Sequence, residues 1–308
     1  MNPDWQFRLC PICQVDDSEQ VVSAPLIAEN MSFNDVRSYW TGFVRKPCFF
    51  TYYRCNICHL LYNKYYFTES QLNILYRDMT DNTDGVNPQI LDKTNSGYID
   101  FVSRVISKVK IKNYLELGPD IGLFAKPFID LFNPYQVSYI EPNLSVHNIL
   151  KNNSSKASEI VILNDIDELE SQKRKVNFQI ISGIHVFDHL ISPLKYLSKL
   201  DIFVESGSYI YSVTHNERSL LRQLMRKHWI PFCLQHPQLY NPKTLEFLFG
   251  KLGFELVSCK PTVNWFPINH ILTVFTRLLS SKIKVENNLF DYSIPIKLGN
   301  IQAIFRKK

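Results

Sequence analysis

The chain has 308 residues, a formal net charge of +5, 45% apolar residues and 13% aromatic residues. That length fits two domains or one elaborated α/β domain, and the apolar share excludes global disorder. The positive charge is modest and scattered, which argues against a nucleic-acid-binding stripe.

The opening stretch MNPDWQFRLCPIC carries no apolar run of the kind a signal peptide needs. Its segment DWQFRL reads as a strand leading into Cys10-Pro-Ile-Cys13, and FFTYYR reads as a strand leading into Cys55-Asn-Ile-Cys58. A CxxC turn places two sulfurs on one side. Two such turns complete a tetrahedral four-sulfur site that suits Zn²⁺, in a zinc-ribbon layout with a long insertion. The competing reading is a redox dithiol, but a thioredoxin-like pair belongs in a βαβ context that is absent here. Four thiolates leave no open coordination position, so such a metal is structural. Cys48 lies outside both pairs and reads as a packed side chain. His59 adjoins Cys58 but is not needed as a ligand. A soluble cytoplasmic protein is the default expectation, and there seven cysteines are ligands or free thiols rather than disulfides.

Thr68 and Gln71 have the spacing of a capping box and predict a helix start. Residues 80–97 are polar with Gly and Pro and read as a linker between an amino-terminal metal-binding lobe (1–79) and the rest of the chain (98–308). A helical period resumes at Ile99, Val102, Val105, Ile106 and Val109. Strands are then predicted at NYLEL, QVSYI, EIVIL, NFQIIS and SYIYSV, with helices at LFAKPFIDLF, LSVHNILKN and about 193–200. A helix and sixth strand follow in NPKTLEFLFGKLGFELVSC, a helix in INHILTVFTRLLS, and a last strand in NIQAIFRK. The stretch from Trp265 to Leu279 is too short and too polar to span a bilayer. Strands alternating with helices predict an α/β fold, a mostly parallel sheet covered on both faces.

The first of these strands runs into the turn LELGPDIGLF. A dinucleotide-binding turn must offer backbone N–H groups to a pyrophosphate, and Asp120 would repel it. No Gly-Lys-Ser/Thr follows, so the turn is not a P-loop. A ligand that bears a cation and no phosphate fits. S-adenosylmethionine meets both conditions through its amino group and sulfonium. Glu116 ends the first strand, Glu141 ends the second, where a carboxylate can take both ribose hydroxyls, and Asp165 follows the third, where it can accept from the adenine amine. All three lie at carboxyl ends of strands, the edge where open α/β sheets bind ligands.

The run Glu116-Leu-Gly118-Pro-Asp120-Ile-Gly122 resembles the first motif of class I S-adenosylmethionine-dependent methyltransferases. IHVFDHLISPLKYLSKL resembles their fourth-strand segment, and QHPQLYNPKTLEFLFGKLGFELV a late segment with a His and an aromatic before a Pro-initiated helix. The front cysteines with YRCNICHLLYN are similar to those of zinc-ribbon-bearing sugar C-methyltransferases, which act on nucleotide-linked deoxysugars. The resemblance spans about residues 8–306. It implies a Rossmann-like sheet, mostly parallel with an antiparallel last strand, and transfer of a methyl group to a small or glycan-linked acceptor such as a nucleotide-linked sugar. The sequence departs from the family where a second glycine is usual and Asp120 stands.

Methyl transfer needs positioning and a base for the acceptor. His185 and His189 flank the exit of the fourth strand and His215 follows the fifth, so these three are the candidate bases. Asp188 reads as a solvated or capping residue. His236 and Tyr240 either contact an acceptor or fold their segment onto the sheet. Arg218, Arg222, Arg226 and Lys227 form a charged helix face that is either solvated or meets a diphosphate. Cys233 and Cys259 read as packed thiols, and His147, His228 and His270 have no evident partner. Two further readings stand beside the enzyme: an RNA methyltransferase, and a non-catalytic zinc-bearing interaction protein on a degenerate methyltransferase scaffold.

Overall fold

A computed structural model describes residues 4–40, 47–77, 88–172, 176–268, 293–297 and 299–308. The chain divides into two compact units. The first is Met1–Gly85 with Asp188–Leu194 and His215–Leu248, and the second is Val86–Phe187 with Lys195–Thr214 and Phe249–Lys308. Where the sequence suggests one boundary at 80–97, the first unit thus also takes in two later stretches.

Within the first unit a four-stranded antiparallel sheet runs in the order Gln238–Leu239, Leu61–Asn63, Tyr52–Cys55, Ser18–Val22. The expected strand in DWQFRL shortens to Gln6–Phe7, which pairs antiparallel with Tyr65–Tyr66. So little regular structure is held together by rings. Trp5 meets Phe50 and Phe67 edge-on, with centroids 4.9 and 5.4 Å away, around a core that includes Trp40, Tyr66 and Leu234. Such edge-on contacts add to the apolar area that each ring buries. The capping box forms as expected: the Thr68 N–H donates to Gln71 Oε1 and the Gln71 N–H to Thr68 Oγ1, at the start of the helix Glu69–Arg77.

The second unit is built on seven strands: β1 (Asn113–Leu117), β2 (Gln136–Ile140), β3 (Glu159–Leu163), β4 (Ile180–Ile184), β5 (Tyr209–His215), β6 (Phe254–Pro261) and β7 (Asn300–Lys307). Their order is β3-β2-β1-β4-β5-β7-β6. β1 to β5 pair parallel, and β6 pairs antiparallel with β7. β2 is buried along its whole length, as a strand covered on both faces must be, whereas the edge strand β3 is half-exposed. Because β1 lies between β2 and β4, the connections reverse direction there and open a crevice at the strands' carboxyl ends.

Two expectations change. The helix predicted to begin near Tyr98 begins at Pro88 and runs to Ile106, so 88–97 is not a linker. Pro88 stands at the first helical position, where its missing N–H would have no partner anyway, so it starts the helix instead of breaking it. The other change is the strand Asn264–Pro267, antiparallel to Ser293–Ile296. The helix expected in INHILTVFTRLLS, with His270, lies outside the described residues apart from its first position.

Candidate functional site

The turn after β1 is held by three residues in left-handed conformation within five positions: Gly118 at φ 56°, Asp120 at φ 51° and Gly122 at φ 81°. At Gly118 the requirement is double, since a Cβ there would lie 2.7 Å from Val186 Cγ2. Its N–H donates to the Ile140 carbonyl at 2.9 Å, tying the turn to β2. Asp120 is half-buried and takes a backbone conformation in which Asp and Asn are among the few non-glycine residues tolerated. The backbone therefore supplies its own reason for an aspartate where a glycine is usual.

Glu141, at the end of β2, is buried and braces this turn. Its Oε2 accepts the Asp120 N–H at 3.0 Å and its Oε1 accepts the Asn143 N–H at 2.8 Å. Burial raises its pKa, and the two donated N–H groups oppose that rise. His147, a residue with no partner evident from sequence, donates its Nε2–H to the Glu141 carbonyl at 2.8 Å. Glu116 is 2% exposed, accepts the Tyr114 hydroxyl at 2.7 Å, and has its pKa pushed up to about 8 by burial. Asp165 is exposed and caps the helix Ile166–Ser171, accepting the Glu168 N–H at 2.9 Å. The structure thus gathers Glu116, Asp120 and Glu141 at the β1–β2 edge and gives Asp165 a capping bond. Two of these three carboxyl groups are buried, and burial raises the pKa of both.

His185, also in the second unit, follows β4 at φ 55° and donates its backbone N–H to the Val213 carbonyl at 2.8 Å. Its Nε2 lies 3.5 Å from Asn300 Nδ2.

In the first unit, His189, His215 and His236 come together. The His236 ring centroid is 4.7 Å from that of His189 and 4.8 Å from that of His215. Asp188 corrects its expected role as a solvated or capping residue. It is fully buried, and its Oδ2 accepts both the backbone N–H of His215 at 3.1 Å and the Nδ1–H at 2.9 Å. That pair of bonds sets the His215 tautomer with Nε2 as the acceptor nitrogen. His236 likewise donates Nδ1–H to the Pro231 carbonyl at 2.7 Å. Burial pushes the pKa of His215 well below the ordinary histidine value, with His236 adding to the effect, and burial lowers that of His236 too. Both imidazoles are therefore neutral near pH 7. The Tyr76 hydroxyl stands 3.5 Å from His189 Nδ1. Tyr240 is fully buried and pairs through its backbone with Asn216. The sequence gives Tyr76 no role and does not link Asp188 to His215. An aspartate between Phe187 and His189 carries no periodic signal of burial.

The four paired cysteines converge, their sulfurs all lying within 4.8 Å of one another. The two turns repeat one design. The Cys10 N–H donates to the Val15 carbonyl and the Gln14 N–H to the Cys10 carbonyl; the Cys55 N–H donates to the Leu60 carbonyl and the His59 N–H to the Cys55 carbonyl. Gln14 and His59 both take φ 59°. Zinc–sulfur bonds of about 2.3 Å imply tetrahedral edges of about 3.8 Å, which this cluster accommodates. The sulfurs compete for protons: the hydrogen bond between Cys10 and Cys58 lowers the Cys10 pKa and raises that of Cys58, and burial raises that of Cys13. A divalent cation removes that conflict. Cys48 is buried in the aromatic core, as expected. Cys233 lies 3.3 Å from His236 Nδ1.

A family model described as a methyltransferase domain matches residues 91–259, more than half of the chain. The chain belongs to this methyltransferase family. The matched region begins inside the helix Pro88–Ile106 and ends in β6, so it contains the turn after β1 and all five parallel strands. No curated protein matches the chain in sequence. Similar solved structures include magnesium protoporphyrin IX methyltransferase from Synechocystis PCC 6803 with bound SAH, at 7% identity and a TM-score of 0.47, covering 78% of this chain and 95% of that one. An S-adenosylmethionine-dependent methyltransferase from Clostridium acetobutylicum is similar at 10% identity and 0.47, covering 77% and 98%. The pyocyanin biosynthetic protein PhzM is similar at 10% and 0.45, and the methyltransferase-family chain spans about half of its length, 67% of this chain against 53% of that one. No helix among the described residues is long and apolar enough to cross a membrane.

Proposed function

We propose that this chain transfers a methyl group from S-adenosylmethionine to a small-molecule acceptor, and that the acceptor is a nucleotide-linked sugar. The observation that carries the donor assignment is the braced turn of Gly118, Asp120 and Gly122 at the carboxyl end of β1, with buried Glu141 behind it. S-adenosylmethionine would supply an electrophilic methyl on a positively charged sulfur. Glu141 keeps further lone pairs for the ribose hydroxyls while it holds the turn. Asp120 offers negative charge to the cationic end of the donor, and Glu116, protonated near pH 7 in the folded chain, gives up its proton as that cation approaches.

The base is His215 in this reading. Asp188 orients it, and stabilises the imidazolium once Nε2 has taken the acceptor's proton. His189 and His236 bind acceptor hydroxyls beside it, and His185 is a further candidate for contact with the reacting groups. A structural Zn²⁺ on Cys10, Cys13, Cys55 and Cys58 holds the turns of the first unit. The sugar assignment rests on the resemblance of the cysteine pairs with YRCNICHLLYN to those of zinc-ribbon-bearing sugar C-methyltransferases, and the clustering of His189, His215 and His236 supports an acceptor rich in hydroxyls.

The test has two arms. Calorimetric titration should give saturable S-adenosylmethionine binding and no saturable binding of NAD. Incubation with a panel of nucleotide-linked deoxysugars should then yield a product heavier by one methylene. Donor binding with methylation of none of the sugars, but of another small molecule, would move the acceptor and keep the donor. Absence of donor binding in a folded, zinc-loaded protein would end the enzymatic reading.

A further inference from the structure

The most exposed large apolar side chains among the described residues are Leu224 at 80% and Leu220 at 78%. They lie four residues apart on the helix Leu220–Met225 of the first unit, hence on one face. Ile230 is exposed just beyond them. The opposite face is anchored: Met225 and Trp229 are buried, and the Arg222 guanidinium lies 5.5 Å from the centre of the Phe232 ring. The leucines are therefore held outward by packing on the other side.

The same stretch is basic. Arg218, Arg226, Lys227 and His228 are exposed, and no acidic residue occurs from Arg218 to Ile230. The preceding Glu217 is buried, with both carboxylate oxygens bonded by Arg54, Asn241 donating to one of them and Arg218 Nε 3.4 Å from that same oxygen, so Arg226, Lys227 and His228 carry the exposed charge. Arg226, which opens the run of three basic residues, stands at φ 49° and ψ −122°, a backbone region that side-chain-bearing residues rarely occupy.

We infer that this face docks on the surface of an anionic lipid bilayer, with Leu220 and Leu224 seated at the boundary between headgroups and acyl chains and the basic side chains on headgroup phosphates. Protruding aliphatic groups flanked along the chain by exposed cations match that boundary on both counts. A second copy of the chain fits poorly, because a two-fold contact would set this basic stretch against itself. Single-stranded nucleic acid fits poorly too, since the aromatic side chain of this stretch, Trp229, is buried and offers no stacking face. The inference is independent of which acceptor is methylated.

The test is co-sedimentation of the full chain with vesicles of phosphatidylcholine alone and with one-third phosphatidylglycerol. Binding is expected on the anionic vesicles, about tenfold weaker on the neutral ones, and lost at high salt as screening shortens the reach of the charges. Leu220→Ser with Leu224→Ser, and separately Arg226→Gln with Lys227→Gln, should each weaken vesicle binding about tenfold at unchanged melting temperature. The charge variant keeps the proposal testable should the leucine variant misfold. Equal binding to both vesicle types, or variants that bind as the parent does, would overturn it. So would a dimer that the leucine variant abolishes, or retention on immobilised polyglutamate, in a protein that ignores vesicles.

Discussion

Glu141 accepts the Asp120 backbone N–H at 3.0 Å, so one buried carboxylate joins the end of β2 to the turn after β1 across 21 residues of sequence. Its other oxygen takes the Asn143 N–H. Glu141→Ala removes both acceptors, and each stranded N–H costs about 1–3 kcal/mol where water cannot reach it. The variant should melt earlier and bind S-adenosylmethionine more weakly by about 1–3 kcal/mol, read by thermal denaturation and calorimetry. Unchanged affinity in a variant that melts as the parent does would place the ribose contact elsewhere.

Asp120 combines a charge with a left-handed backbone, and two substitutions separate them. Asp120→Asn keeps the size and the tolerance for that backbone, so a loss of donor affinity of about 1–2 kcal/mol isolates the charge. Asp120→Gly also relieves the backbone cost of roughly 1 kcal/mol, so it should match or exceed the parent in stability while still binding the donor less well. Tighter donor binding by the glycine variant would mean that the side chain obstructs the pocket.

Glu116 gives the second unit a pH dependence. Its pKa is about 8 in the folded chain against 4.5 for the free side chain, so between those values the folded state holds a proton that the unfolded state has lost. Stability from this group is full below pH 4.5 and falls as pH rises through 8, by a few kcal/mol in all. Glu116→Gln, uncharged throughout, should flatten the denaturant midpoint over that window. An unaltered profile would show that Glu116 is ionised and paired in the folded protein.

The cysteine cluster predicts about one Zn²⁺ per chain by elemental analysis. Structural zinc sites contribute on the order of 10–16 kcal/mol of apparent binding energy. Cys55→Ser, or removal of the metal by a strong chelator, should therefore unfold the first unit, detected as loss of near-ultraviolet signal from its packed tryptophans. Full zinc content in a well-folded Cys55→Ser protein contradicts the four-cysteine assignment.

The sequence by itself determined the elements whose signals are local. The alternation of strands and helices from Asn113 to Leu163 is legible because each strand is a short apolar run bounded by polar turns, and the Thr68–Gln71 cap because it is a contact within one helical turn. The two CxxC turns are legible for the same reason. Tertiary structure alone decided what lies between distant residues. Nothing local in Asp188 announces that it is buried against His215, 27 residues away, or that Glu141 reaches back to Asp120. Pro88 looked like a breaker, yet it opens a helix, since its effect depends on whether it stands first or later. The membership of 188–194 and 215–248 in the first unit was equally out of reach, because it is set by which surfaces bury against each other, and period and spacing carry no record of that.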